Sequence, residues 1–478
     1  LMRSCTVPSR AHIARCEVPS QARAAQVLFE RRMLALLRTA LGESELSREQ
    51  ELLATLPVDV GGCGFEGLAA HLPSAGFGYA ASVLLARAVL RTRGIVLEVG
   101  LVTEAADSVQ RGVDNLSLPL ADDITSWSVA QLKSVQKRFT DRFHWHRVEP
   151  LVSLLVAHPT PQNSVWLSRI MEAANKTAGA WLHASPSQRR APLDGPTMLF
   201  GYRRRLQLPT FPGAASRANC GCGVAVARED TFSAASICGT GPRFGPPVGL
   251  ELQMEEGGTV AESLVGVNLA AGLAHAAVAD ASAALSMRTD GGHALRCTFA
   301  QGLRMHRHDA VCLCFAANWR KQGYHVARES LTGVHLNRSD VTCVELKSQV
   351  DVCVTSLDEV VDFPALDLGL GADRGVKTAA QQKAMVSWFS AAQVVAFGAL
   401  TRAAVSKIKH HAPATVQPIV FSAGGALREC DDVLLPCPEG RNGRHWVRVE
   451  ISSILLKYAY KISCQFWSRR GISVVASA

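Results

Sequence analysis

No run in the chain approaches the ~18 consecutive apolar residues that a membrane-spanning helix needs, so no membrane partner is expected from it. No signal-peptide pattern opens the chain, and its 14 Cys are scattered, not regularly spaced. That argues against a disulfide scaffold and for reduced thiols in a nuclear or cytoplasmic setting. The first 16 residues contain Arg and Ser but no acid, a pattern compatible with a mitochondrial presequence as the alternative. The first residue is Leu, so the chain is expected to be a fragment whose start lies upstream. No internal repeat is visible.

What is present is a long chain, 478 residues and 48% hydrophobic, ample for a packed core. Lys and Arg total 50 against 41 Asp and Glu, a net charge of +9 that suits an anionic partner without specifying one. Apolar spacing predicts helices over 24–56, 68–99 and 127–185, with Trp127, Trp145, Trp166 and Trp181 as core anchors. Residues 1–205 therefore read as a helical region. Gly, Pro, Cys and Ser dominate 211–250, and Ala, Gly and Val dominate 256–290; the stretch reads as an insertion. A helix from His308 stops at Gly323, a C-cap candidate. Short strands are predicted at 324–328, 341–346 and 350–355, with Lys347, Ser348 and Gln349 as a hairpin loop. Helices over 376–409, a strand from Val416 ending at Gly424 and Gly425, and a helix over 447–467 complete the chain. The expected fold class is α+β: a helical half, then a small α/β domain with a mixed sheet. The boundaries are 1–205, 206–305, 306–428 and a helical tail, 429–478.

Cys220 and Cys222 flank one glycine, and His293 and Cys297 stand four apart. Structural zinc takes four N or S ligands in a tetrahedron. Two Cys in a glycine turn, and a His and Cys on one side of a helical turn, have that chemistry. The separation between the halves is much longer than compact fingers use. The alternative is buried thiols and a surface His.

Several segments, in order, resemble the C-terminal region of reverse transcriptase polyproteins from non-long-terminal-repeat retrotransposons, of the type with a restriction-enzyme-like endonuclease. They are Leu56–Pro57 with Gly61, Gly62 and Gly64; Trp181–Leu182; Phe200–Leu206 with Leu208–Pro209; Cys220 and Cys222; Gly292–Cys297; Arg307–His308; Arg338–Asp340; Val350–Val352; Gln417–Phe421; and Gly424–Gly425. The resemblance spans roughly residues 25–470. It implies a post-palm helical region, a structural zinc held by Cys220, Cys222, His293 and Cys297, and an endonuclease-like domain. Residues 223–290 depart from the family as an insertion. No Tyr-x-Asp-Asp occurs, so no polymerase activity is expected of this fragment.

The resemblance also implies a Mg²⁺ site on adjacent strands, since hard carboxylate ligands suit that ion. Asp340 and Asp351 are the candidate acids, Glu329 an earlier one, and Lys409 (or Lys407) the ammonium beside them. A general site of this kind places Lys two residues after the second acid, where Cys353 stands. A hairpin centred on Ser348 sets Asp351 opposite Glu345, which makes Glu345, Lys347 and Asp351 a rival cluster. A solvated hairpin face is the third reading. Arg203, Arg204 and Arg205 either contact phosphates of DNA or RNA or form a solvated helix face. His306 and His308 read as a helix start, and Cys312, Cys314 and Trp319 as core. Two functions follow: a Mg²⁺-dependent DNA-nicking endonuclease, or an inactive, RNA-binding remnant in a host ribonucleoprotein such as an organellar ribosome.

Overall fold

A computed structural model describes residues 19–65, 72–96, 100–107, 144–145, 147–158, 160–184, 192–211, 301–324, 379–411, 416–437 and 443–469, a set of short strands, and positions 295, 363, 364 and 366. Helix dominates among them. In chain order the named helices are α1 (Pro19–Leu41), α2 (Arg48–Thr55), α3 (Leu72–Arg91), α4 (Pro161–Ala174), α5 (Gly195–Arg205), α6 (Gln301–Lys321), α7 (Ala379–Ala396), α8 (Gly398–His411) and α9 (Gly443–Ser468).

Local chemistry explains the ends. The predicted helix over 24–56 divides: Gly42 adopts φ 70° after α1, and Ser47 starts α2. There the Ser47 hydroxyl accepts from the Gln50 N–H, and Gln50 Oε1 accepts from the Ser47 N–H, a reciprocal capping box. Thr160 caps α4 and Asp194 caps α5, each with Pro at the helix start. Gly323, at φ 85°, follows α6 as expected. That helix begins at Gln301, so His306, Arg307 and His308 lie inside it and do not open it.

The strands pair in three groups. β1 (Ala218–Asn219) and β2 (Ala225–Val226) form an antiparallel pair, as do β4 (Leu331–Thr332) and β5 (His335–Leu336). β3 (Val326–Arg328), β6 (Asp340–Cys343), β7 (Ser348–Thr355) and β8 (Val416–Ser422) lie in the order β3-β6-β7-β8, the last pair parallel. Helix α8 packs on β8 and β7, and α6 packs on β3, β6, β7 and α9. The outer side of β8 is occupied: Arg428 donates to the Pro418 carbonyl at 3.4 Å, the Val420 N–H donates to Asp431 at 3.3 Å, and the Ser422 N–H donates to the Ala426 carbonyl at 2.8 Å.

One apolar core draws Leu53, Leu56, Ile170, Met171, Trp181, Phe200 and Leu206 together with Met385, Leu400, Val420 and Leu456. A second joins Phe315 and Trp319 of α6 to Phe421 of β8 and to Ile451 and Leu455 of α9. Cys312, Cys314 and Trp319 are core, as read from the sequence. Burial pushes the Cys314 thiol well up. Trp127 lies outside the described residues.

Candidate functional site

Two clusters of charge carry the sequence-level candidates, and the structure treats them differently. The first surrounds the arginines of α5. Arg203 and Arg205 are 4% and 8% exposed, which corrects the expectation of a phosphate-contacting or solvated face. Arg203 donates to the carbonyls of Leu41 and Pro209 and pairs with Glu43 at 2.5 Å. Arg205 donates to the carbonyls of Gly62 at 2.7 Å and Ala173 at 2.9 Å. Arg204 pairs with the buried Glu172 at 3.2 Å. The physical reason is the surrounding sequence: Phe200, Tyr202, Leu206 and Leu208 are all buried, so α5 has no broad polar face, and its charges must be matched internally.

Glu172 is the hub of this cluster. Its second oxygen, Oε1, accepts from the Gly424 N–H at 2.9 Å. A Cβ on Gly424 would sit 2.4 to 2.5 Å from the Glu172 carboxyl, so a larger residue there requires that carboxyl to shift. One turn away, Asn175 brackets Leu427, donating to its carbonyl at 2.8 Å and accepting from its N–H at 3.2 Å. Arg169 donates to Gln207 at 3.1 Å. On the other side, Gly62 faces the Leu56 carbonyl at a distance no Cβ permits. The Tyr202 ring meets Phe65 at 5.2 Å and Trp181 at 5.4 Å between centroids. The motif residues at 56–65, 181–182, 200–208 and 424–425 thus converge on one junction. Glu172, Asn175 and Arg169 were not singled out from the sequence; a charged Glu and Arg within the otherwise apolar spacing of 161–174 was the available signal.

The second cluster is the strand pair. The register sets Asp340 directly opposite Asp351, with Cys343 opposite Ser348. The expected loop at 347–349 is corrected: Ser348 and Gln349 belong to β7, and Asp351 is paired with Asp340. The parallel neighbour is the reason, because β8 pairs with β7 from Gln349 onward and extends it. Directly opposed residues in an antiparallel ladder share a face, with Cβ atoms ~5 Å apart. Glu329, Glu345 and Lys347 lie outside the described residues. Lys409 is exposed near the end of α8. Residues 412–415 link α8 to β8, a span of at most about 18 Å. That places Lys409 toward the end of the sheet where Gln349 meets Val416 and Asp351 meets Pro418.

Cys220, Cys222, His293 and Cys297 lie outside the described residues. Two described neighbours bear on them. Asn219 pairs with Ala225 across β1 and β2. Leu295, between the other two candidates, is buried in the main core. Among the described residues no three His, Cys, Asp or Glu side chains converge on a common point. No family model, curated protein or solved structure matches the chain.

Proposed function

We propose that the chain is a nucleic-acid-binding protein of retrotransposon origin, the C-terminal fragment of a reverse transcriptase–endonuclease, and that it nicks DNA with Mg²⁺ held at Asp340 and Asp351. The observation that carries the reading is the direct pairing of those two residues across β6 and β7. Two carboxylates on one face of a ladder repel each other unless a cation lies between them. The finer fold proposed with it is an α/β domain of the restriction-endonuclease type, comprising the mixed strands β3, β6, β7 and β8 flanked by α6 and α8. In that reading Asp340 and Asp351 are hard oxygen ligands, and Lys409 brings an ammonium group to orient a water toward the phosphate. Bound Mg²⁺ supplies Lewis-acid stabilisation of charge on the scissile phosphate. Cys220, Cys222, His293 and Cys297 hold a structural zinc that takes no part in the chemistry.

The test is nicking of supercoiled plasmid in Mg²⁺ by the wild type and by Asp351→Ala. Wild-type nicking that falls at least tenfold in the variant supports the site; equal nicking by both overturns it. Wild type that binds RNA but leaves the plasmid intact supports instead the inactive remnant in a host ribonucleoprotein. Metal analysis tests the zinc: one equivalent in the wild type and a loss in Cys220→Ser are expected, and a folded, zinc-free wild type ends that proposal.

A further inference from the structure

With the α5 arginines committed to the interior, a nucleic-acid partner needs another cationic surface. From Arg374 to Arg428 the chain contains no Asp or Glu, while Lys and Arg recur throughout. Helix α8 lies in the middle of this stretch and exposes Thr401, Arg402, Ser406 and Lys409. Positions 402, 406 and 409 follow the four-and-three spacing of a single helix face. Helix electrostatics do not account for them all. Lys409, in the last turn, offsets the negative end of the dipole, but Arg402, in the second turn, lies far from that end and is not explained by it. No acid occupies the first turn of α7 or α8. Arg402 lies over the helix start, with Nη1 3.4 Å from where a Cβ on Gly398 would stand.

We infer that the exposed Arg402–Ser406–Lys409 face of α8 contacts the sugar-phosphate backbone of a nucleic acid and leads it to Asp340 and Asp351. This rests on the nucleic-acid reading above and gives it a surface. The opposite face of α8 packs on β7 and β8, so the stripe runs along the back of the strand that carries Asp351 toward the end of the sheet where that residue lies. Backbone contacts of this kind confer affinity and register, and carry no sequence preference. The competing partner is an anionic membrane: α7 and α8 are apolar enough together to pass as a broken span bent by 43°, and Val405 and Ile408 are exposed. Against it, Met385, Trp388, Phe389, Ala392, Leu400 and Ala404 are already buried in the protein core.

The full chain is titrated against a labelled 30-base-pair DNA duplex and a single strand of equal length over a range of salt, with wild type, Arg402→Gln and, as a second exposed-site variant, Ser406→Glu. Expected is at least a fivefold weakening by each variant at 100 mM salt. For Arg402→Gln, the slope of log K against log salt should fall by about 0.9, the value of one lost phosphate contact. Both variants are expected to melt with the wild type. Tight, salt-dependent wild-type binding that neither variant changes overturns this surface while leaving the nucleic-acid reading intact. Wild type that binds no nucleic acid overturns both. Wild-type binding to phosphatidylserine vesicles, weakened by Arg402→Gln while DNA binding is unchanged, assigns the face to a membrane and overturns the proposal.

Discussion

Arg203–Arg205 and the pair Asp340 and Asp351 are both groups of like charge, and the fold places them differently: the first inside a packed junction, the second opposed across a strand ladder. The arginines are interleaved with buried aromatic and aliphatic residues, and each is matched by backbone carbonyls or by Glu43 and Glu172. A charge so enclosed is held by its partners and kept away from a phosphate in solvent. Asp340 and Asp351 occupy directly opposed positions in a two-strand register, a placement that costs stability wherever both are ionised. A run of charge in sequence shows how much charge is present; neutralisation within the fold determines whether any remains for a ligand.

Four measurements break or sharpen that contrast. Glu172→Ala leaves Arg204 buried without its acid and the Gly424 N–H without its acceptor, and should lower the unfolding free energy by about 3–5 kcal/mol in denaturant titration. A loss under 1 kcal/mol would mean the junction is dispensable. His144 is held down to about 4, chiefly by burial and secondarily by the Arg147 charge. The unfolded chain takes up a proton near pH 6.5 and the folded one only near 4, so this stability is complete above that window and lost as pH falls through it. The full loss is roughly 3 kcal/mol. His144→Gln should flatten the dependence between pH 6.5 and 4, and an unchanged slope refutes the assignment. Gly424→Ala drives a methyl into the Glu172 carboxyl and should cost about 1–3 kcal/mol. Asp340→Asn should do the reverse, raising stability by about 0.2–1 kcal/mol without metal as cross-strand repulsion is relieved. Its sign is the informative part: a loss in metal-free buffer would mean that the two acids are matched by other groups.

Much of the C-terminal half was legible. Val416–Ser422, the helix ending before Gly323 and the last helix follow from apolar spacing and glycine, signals confined to one segment. The hairpin register was not. Lys347, Ser348 and Gln349 read as a polar turn, yet Ser348 and Gln349 join β7 because a strand some 70 residues later pairs alongside. Partner identity was equally hidden for the arginines. Glu43 and Glu172, which neutralise Arg203 and Arg204, stand 160 and 32 residues away in the chain, and no local pattern announces them. The glycines at 61, 62 and 424 were visible as motifs, but the reason for them, close backbone approach across the junction, needed three dimensions.

The occupied outer side of β8 has a consequence for self-association. A sheet ends safely only if its last strand cannot recruit another, and exposed edges are where copies of a protein zip together into aggregates. On β8 the outward groups at 418, 420 and 422 are spoken for by Arg428, Asp431 and Ala426, and position 418 is a proline with no N–H to give. Asp431→Ala, which releases the Val420 N–H and the Arg428 guanidinium together, is the substitution expected to turn this margin into a sticky one, seen as concentration-dependent light scattering in a protein that still folds.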